Sequence, residues 1–141
     1  MIIAVGCDHG GFSLKKELVS LLEQSEHTVL DMGCFSEESV DYPDFAATVC
    51  AALQDGRAQR GILICGTGIG MSIAANRHPH IRAALCHEAF TARMSREHND
   101  ANVLCLGARI LGIGIALDIV KIWLTTDFAG GRHQRRIALM G

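Results

Sequence analysis

Six consecutive residues, Cys65, Gly66, Thr67, Gly68, Ile69 and Gly70, hold the densest chemistry in this sequence. Glycines at 66, 68 and 70 let the main chain come close to a ligand and turn several N–H groups toward an anion. A helix start directly after them adds its positive dipole end. Cys65 stands at the lip of this loop. N–H groups at a helix start favour thiolate, so this thiol can act as a base or a nucleophile. It can also be one more small buried residue, as free cysteines commonly are. Three familiar loops are excluded by their own requirements. A dinucleotide G-x-G-x-x-G needs glycine at 71 and a cysteine phosphatase loop needs arginine there, but the residue is Met71. A Walker A loop needs Gly-Lys-Ser/Thr, which is absent.

Three further clusters carry polar chemistry. Asp8 and His9 follow Cys7 and precede Gly10 and Gly11. Adjacent residues point apart on a strand, so both side chains reach one ligand only from a turn. The alternative is a turn residue beside a surface residue. Glu97, His98, Asn99 and Asp100 form a polar group at a helix end, which ordinary C-capping would also explain, with His98 complementing the dipole. The tail reads Gly130-Gly131-Arg132-His133-Gln134-Arg135-Arg136. In a helix Arg132 and Arg136 share one face, and two guanidiniums on one face suit a phosphate monoester. A solvated tail, or a weak RNA or membrane contact, is the alternative. His78 and His80, flanking Pro79, read as surface residues, and His87 reads as structural.

Those loops need a scaffold, and the chain supplies short apolar runs alternating with helical patterns. Residues 1–7 (MIIAVGC), 27–32, 61–65 (GILIC), 81–86 and 103–106 read as strands. Leu14, Leu18, Leu21 and Leu22 mark the apolar stripe of a first helix, with Lys15, Lys16, Glu17 and Glu23 off it. Pro43 suits the first turn of a second, carried by Phe45, Val49 and Leu53 and ending near Gly56. Further helices are expected from the glycine loop to about residue 77, at 88–97 and at 109–125, with a basic tail closing the chain. Strands apolar at nearly every position imply a parallel sheet covered on both faces. The expected fold is therefore α/β, a Rossmann-like three-layer sandwich around a five-stranded parallel sheet, in a single domain spanning 1–141. Ligands of such sheets bind beyond the carboxyl ends of the strands, where Cys7-Asp8-His9 and the Cys65 loop both fall.

Composition narrows the class. The chain has 141 residues, 13 basic and 15 acidic, for a net charge of −2, which argues against a general nucleic-acid binder. Aromatic residues are only 5%, so the core must be aliphatic. The six cysteines stand at least fifteen residues apart, without the short spacing of zinc or dithiol motifs. No signal-type segment or membrane span is evident, and a reducing cytoplasm is the expected setting. The helix at 109–125 carries Ile110, Leu111, Ile113, Ile115, Leu117, Ile119, Val120, Ile122 and Trp123 around nearly its whole circumference. A helix apolar all round must be covered all round, either by a second subunit or by the C-terminal tail.

Five blocks together resemble one family: GCDHGGF, DYPDFA at 41–46, ILICGTGIGMSIAANR at 62–77, SREHNDANVLCLGAR at 95–109 and GGRHQRR at 130–136. The sequence is similar to ribose-5-phosphate isomerase type B, the sugar-phosphate isomerase family that also contains allose-6-phosphate and galactose-6-phosphate isomerases. The resemblance implies aldose–ketose isomerisation through an enediolate, without metal or organic cofactor. It implies that Cys65 is the base and that Thr67 and the N–H groups around Gly66, Gly68 and Gly70 stabilise the enediolate. Preorganised N–H donors suit that developing charge. By the same resemblance His98 opens the sugar ring, Asp8 assists with its protons and Asn99 holds the enediolate. His9, Arg132 and Arg136, with Arg109, would bind the phosphate, and Tyr42 would touch substrate. Family members are homodimers, some paired into tetramers, with each active site shared between subunits and no nucleic-acid or membrane partner. The expected reaction is ribose 5-phosphate to ribulose 5-phosphate in the non-oxidative pentose phosphate route. Isomerisation of allose 6-phosphate or another aldose phosphate, and a non-catalytic sugar-phosphate-binding subunit, are the competing readings. Retention of Cys65, Thr67 and His98 counts against the last. Gly10 stands where the family often has alanine.

Overall fold

The computed structural model describes all 141 residues. Five strands follow from the apolar runs: β1 (Ile2–Cys7), β2 (Thr28–Asp31), β3 (Arg60–Cys65), β4 (Ala83–Leu85) and β5 (Val103–Gly107). They are separated by α1 (Phe12–Gln24), α2 (Tyr42–Gln54), α3 (Ile69–Ala75) and α4 (Ala89–Glu97), and followed by α5 (Ile113–Thr125) and α6 (Arg132–Met140). The strands form one all-parallel sheet in the order β2-β1-β3-β5-β4. It is the three-layer Rossmann-like α/β arrangement expected from the sequence.

Alternation along the strands sorts the core into two layers. Ile3, Val5, Ile62, Ile64, Leu104 and Leu106 pack with α1 and α5 on one face. Ala4, Leu63, Cys65, Val103 and Cys105 pack with α2 and α3 on the other. Trp123 on α5 is fully buried in the first layer, with the Arg60 and Arg96 guanidiniums 5.3 and 5.8 Å from its ring. No helix is long and apolar enough to cross a membrane.

The structure sharpens several local expectations. The helix expected from 109 begins at Ile113, because the preceding amides are spent on the glycine loop and its turn. Arg109 N–H donates to Gly66 O, and Ile110 and Leu111 N–H both donate to Gly107 O. The strand expected at 81–86 shortens to three residues, since Arg82 N–H donates to the Asn102 side chain instead of a ladder. The basic tail is helical from Arg132 onward. Lys15, placed off the apolar stripe, is buried rather than exposed. Its ammonium pairs with Asp31 at 2.6 Å, donates to Cys34 O at 2.7 Å and lies 4.7 Å from the Phe35 ring centroid. A buried cation with these partners ties α1 to the loop leaving β2.

Candidate active site

Strand order reverses between β1 and β3, and their carboxyl ends open a crevice there. Cys7 stands beside Ile64 in the register, and Asp8 N–H donates to Ile64 O at 3.1 Å. The two chemically loaded strand ends are thereby joined. Asp8, only 8% exposed, accepts through Oδ1 from the N–H groups of Gly10 and Gly11 at 2.9 and 3.2 Å. It caps a single 3-10 turn, His9–Gly11, and this turn lets His9 diverge from the strand. His9 Nδ1 accepts from Val40 N–H at 3.2 Å, which leaves Nε2 with the proton. A methyl group added at Gly10 would lie 3.3 Å from Asp8 Oδ1 and 3.5 Å from Gly66 N, a snug fit that small adjustments allow.

Cys65 ends β3, 5% exposed, with its sulfur accepting the Gly68 N–H at 3.1 Å. A charged acceptor strengthens such a bond, so this geometry suits a thiolate. The loop tolerates few substitutions. Gly68 has φ +78°, and a Cβ there would stand 2.5 Å from Leu85 Cδ1, so only glycine fits. Thr67 is exposed, and its hydroxyl accepts the Ile69 N–H at 3.3 Å. The Tyr42 ring, at the start of α2, lies against Gly70, where a Cβ would meet it at 2.7 Å. The Arg109 guanidinium folds over Gly66, within 3.4 Å of where its Cβ would be. Helix α3 is two turns long rather than reaching 77, so the donors here are mainly loop amides and not a long helix end.

The carboxyl edge thus brings together Asp8, His9, Tyr42, Cys65, Gly66, Thr67, Gly68, Gly70 and Arg109. His87, read from sequence as structural, joins them from the end of β4, with Nε2 3.4 Å from Thr67 O. No local pattern marks it, because the contact depends on the pairing of distant strands.

Four expected residues lie elsewhere. His98 caps the C-terminus of α4 and Asn99 follows it, both ahead of the first residue of β5. In a parallel sheet that is the amino edge. Val103 to Gly107 alone separates the two edges by roughly 13 Å at ~3.3 Å per residue. Arg132 and Arg136 sit one turn apart on α6, exposed and without an ion pair in the chain. The tail reaches this edge because Ala129 N–H donates to Glu97 O at 3.0 Å. Gly130 and Gly131, at φ +68° and +58°, then turn it into α6. His133 stacks on His98, centroids 4.2 Å apart and planes inclined by 13°. Desolvation first, then the His98, Arg132 and Arg136 charges, push His133 below the usual histidine range, with Glu97 opposing.

A cavity of about 630 Å³ also lies away from Cys65. It runs between the 76–84 segment and α6, with Asn99 on its wall. No group of three or more His, Cys, Asp or Glu side chains is placed to hold a metal ion. All six cysteines are free and buried. Burial, with the neighbouring Cys34, pushes the Cys7 thiol up to about 12, and burial alone takes Cys50 to about 11. Cys105 stands well above its ordinary value through burial among Cys65, Cys50 and Cys86. Those thiols stay protonated at neutral pH.

Relatives of known kind share this whole chain. It is 50% identical to ribose-5-phosphate isomerase B of Escherichia coli (strain K12) over 135 residues, 96% of this chain and 91% of that protein. D-erythrulose-4-phosphate isomerase of Pectobacterium atrosepticum is 42% identical over 140 residues, 99% of this chain and 92% of that one. The solved structure of ribose-5-phosphate isomerase B from Clostridium thermocellum matches with a TM-score of 0.99 at 53% identity, covering 100% of this chain and 95% of that one. The model of the Ribose/Galactose Isomerase family matches residues 3–140, and with the parallel-sheet fold and glycine loop already described, the chain belongs to that family.

Proposed function

We propose that this protein interconverts D-ribose 5-phosphate and D-ribulose 5-phosphate by proton transfer through an enediolate, in the cytoplasm and without metal or organic cofactor. The observation that carries the reading is the Cys65 sulfur, held by the Gly68 N–H at 3.1 Å beside the Asp8 turn. Cys65 takes the proton from C2 of the open-chain aldose and returns it to C1. Negative charge gathers meanwhile on the two oxygens, where the loop amides and the Thr67 hydroxyl meet it. Fixed donors aimed at developing charge stabilise a transition state more than a ground state. Asp8 helps move the hydroxyl protons, His9 and Arg109 face the phosphate, and Tyr42 borders the sugar.

The remaining machinery comes from a second copy. His98 opens the furanose, Asn99 holds the enediolate, and Arg132 and Arg136 bind the phosphate. These stand on the opposite sheet edge from Cys65 in one chain, so a complete site requires a homodimer in which each edge meets the other's partner. The apolar side chains left uncovered beside the carboxyl edge support that assembly. Ile110, Ile113 and Ile115 are each more than half exposed, while Ala116, Ile119, Val120 and Trp123 fill the inner face of α5. Such a surface suits an interface.

A side-by-side kcat/KM comparison of ribose 5-phosphate, allose 6-phosphate, galactose 6-phosphate and erythrulose 4-phosphate tests the substrate. Ribose 5-phosphate should lead. The Pectobacterium relative makes the four-carbon ketose phosphate the second reading, and a clear preference for it or for a hexose phosphate would replace the first.

A further inference from the structure

In the imidazole stack at the amino edge His98 has a role in the proposed reaction and His133 has none. The His98 main-chain N–H donates to Met94 O at 2.9 Å, fixing the backbone, but no group in the chain hydrogen-bonds either nitrogen of the His98 ring. The ring instead lies against the face of His133, 4.2 Å away and inclined by 13°. Delivery of His133 is built into the tail. Two left-handed glycines precede α6, His133 N–H donates to Gly130 O, and Ala129 N–H pins the segment to Glu97 O.

We propose that His133 is a positioning residue for ring opening: its imidazole face holds the His98 ring in the plane from which His98 exchanges protons with the furanose. This rests on the reading of His98 as the ring-opening group. General acid–base catalysis requires the nitrogen to sit within hydrogen-bond reach of the proton it moves, and a ring free to rotate meets that geometry only part of the time. The groups facing His133 are His98 and Glu97 from α4 and Arg132 and Arg136 on its own helix. Desolvation leads in lowering its pKa, and the neighbouring His98, Arg132 and Arg136 outweigh the one carboxylate. His133 therefore stays neutral where an ordinary histidine begins to charge. A neutral face stacks on His98 in either of its protonation states, so the stack persists while His98 gains and loses its proton.

The test compares His133→Ala with His133→Phe in the intact protein, each assayed with cyclic ribose 5-phosphate and, in the reverse direction, with acyclic ribulose 5-phosphate. His133→Ala should lower kcat for the cyclic sugar roughly ten- to a hundredfold, the scale of a misplaced catalytic group, and leave kcat for the acyclic ketose within about twofold. Phe keeps a flat neutral face, so His133→Phe should recover most of the loss. Equal losses with both sugars, or a Phe variant no better than Ala, would overturn the proposal. His98→Asn separates the layers. A loss selective for the cyclic sugar in His98→Asn, beside an unselective loss in His133→Ala, overturns positioning alone. Unselective losses in both overturn the ring-opening role and the proposal with it.

Discussion

The two edges of the sheet solve different problems. At the carboxyl edge, Cys65 and Asp8 are almost fully buried, and each accepts main-chain N–H groups within three residues of itself. Their positions follow from strand register, and neither side chain can move without disturbing the core. At the amino edge, Arg132 and Arg136 are long exposed side chains on a terminal helix, and His98 leans on a stacked ring. Proton transfer at carbon tolerates little misplacement, whereas a phosphate dianion is recognised by charge and by forks that adjust. On the proposed reading, the proton-transfer group sits in the core and much of the anion recognition sits on adaptable arms.

Mutations at the two edges should therefore fail in different ways. The largest effect is expected for Cys65→Ala, which should lower kcat roughly 10²–10⁴-fold, the range of a general base. Sugar-phosphate affinity, measured by calorimetry, should barely change. Gly68→Ala should come next, because the new Cβ meets Leu85 at 2.5 Å with φ at +78°. It should lose stability by about 1–3 kcal/mol for the strained backbone and should also lower kcat as the donor to Cys65 shifts. Chemical denaturation and steady-state kinetics on one preparation separate the two. Arg132→Ala and Arg136→Ala should mainly raise KM, each roughly tenfold, about 1.4 kcal/mol and near the low end for a charge-assisted hydrogen bond. Added salt should narrow their difference from the unaltered protein. A large kcat loss there with KM unchanged would erase the contrast between the edges.

The smallest effect concerns two buried thiols, Cys7 and Cys50. Cys7 and Cys50 hold their protons to about 12 and about 11 in the fold, against an ordinary value of 9.0. Above pH 9 the unfolded chain releases these protons while the folded chain keeps them. The unfolded state then binds fewer protons, so stability falls as pH rises between about 9 and the folded values. Urea midpoints at pH 8 and pH 10 should show the drop, and Cys50→Ala should lessen it.

Much of this was legible in the sequence. Strands β1, β3 and β5 announce themselves because buried parallel strands are apolar on both faces, and the glycine spacing after Cys65 marks a loop that must approach a ligand. The burial of Lys15 was not legible, because its partners Asp31 and Cys34 O come from another element. The start of α5 is hidden for the same kind of reason: Ile110 and Leu111 look helical, yet their amides are committed to Gly107. The stack of His98 on His133 joins residues 35 apart with no shared periodicity, so only the folded tail reveals it. Both halves of the candidate site can be named from the sequence, but their separation to opposite edges becomes evident only when α4 is seen to precede β5 in a parallel sheet.

The central claim is that a complete site draws Cys65 from one chain and His98 from the other. Heterodimers of Cys65→Ala and His98→Asn chains, purified through two different tags, test it directly. Each parent homodimer carries two damaged sites, but by two-fold symmetry the heterodimer gathers both lesions into one site and leaves the other intact. The heterodimer should regain about half the activity of the unaltered dimer on ribose 5-phosphate. A heterodimer no more active than the average of its two parents would contradict the shared site.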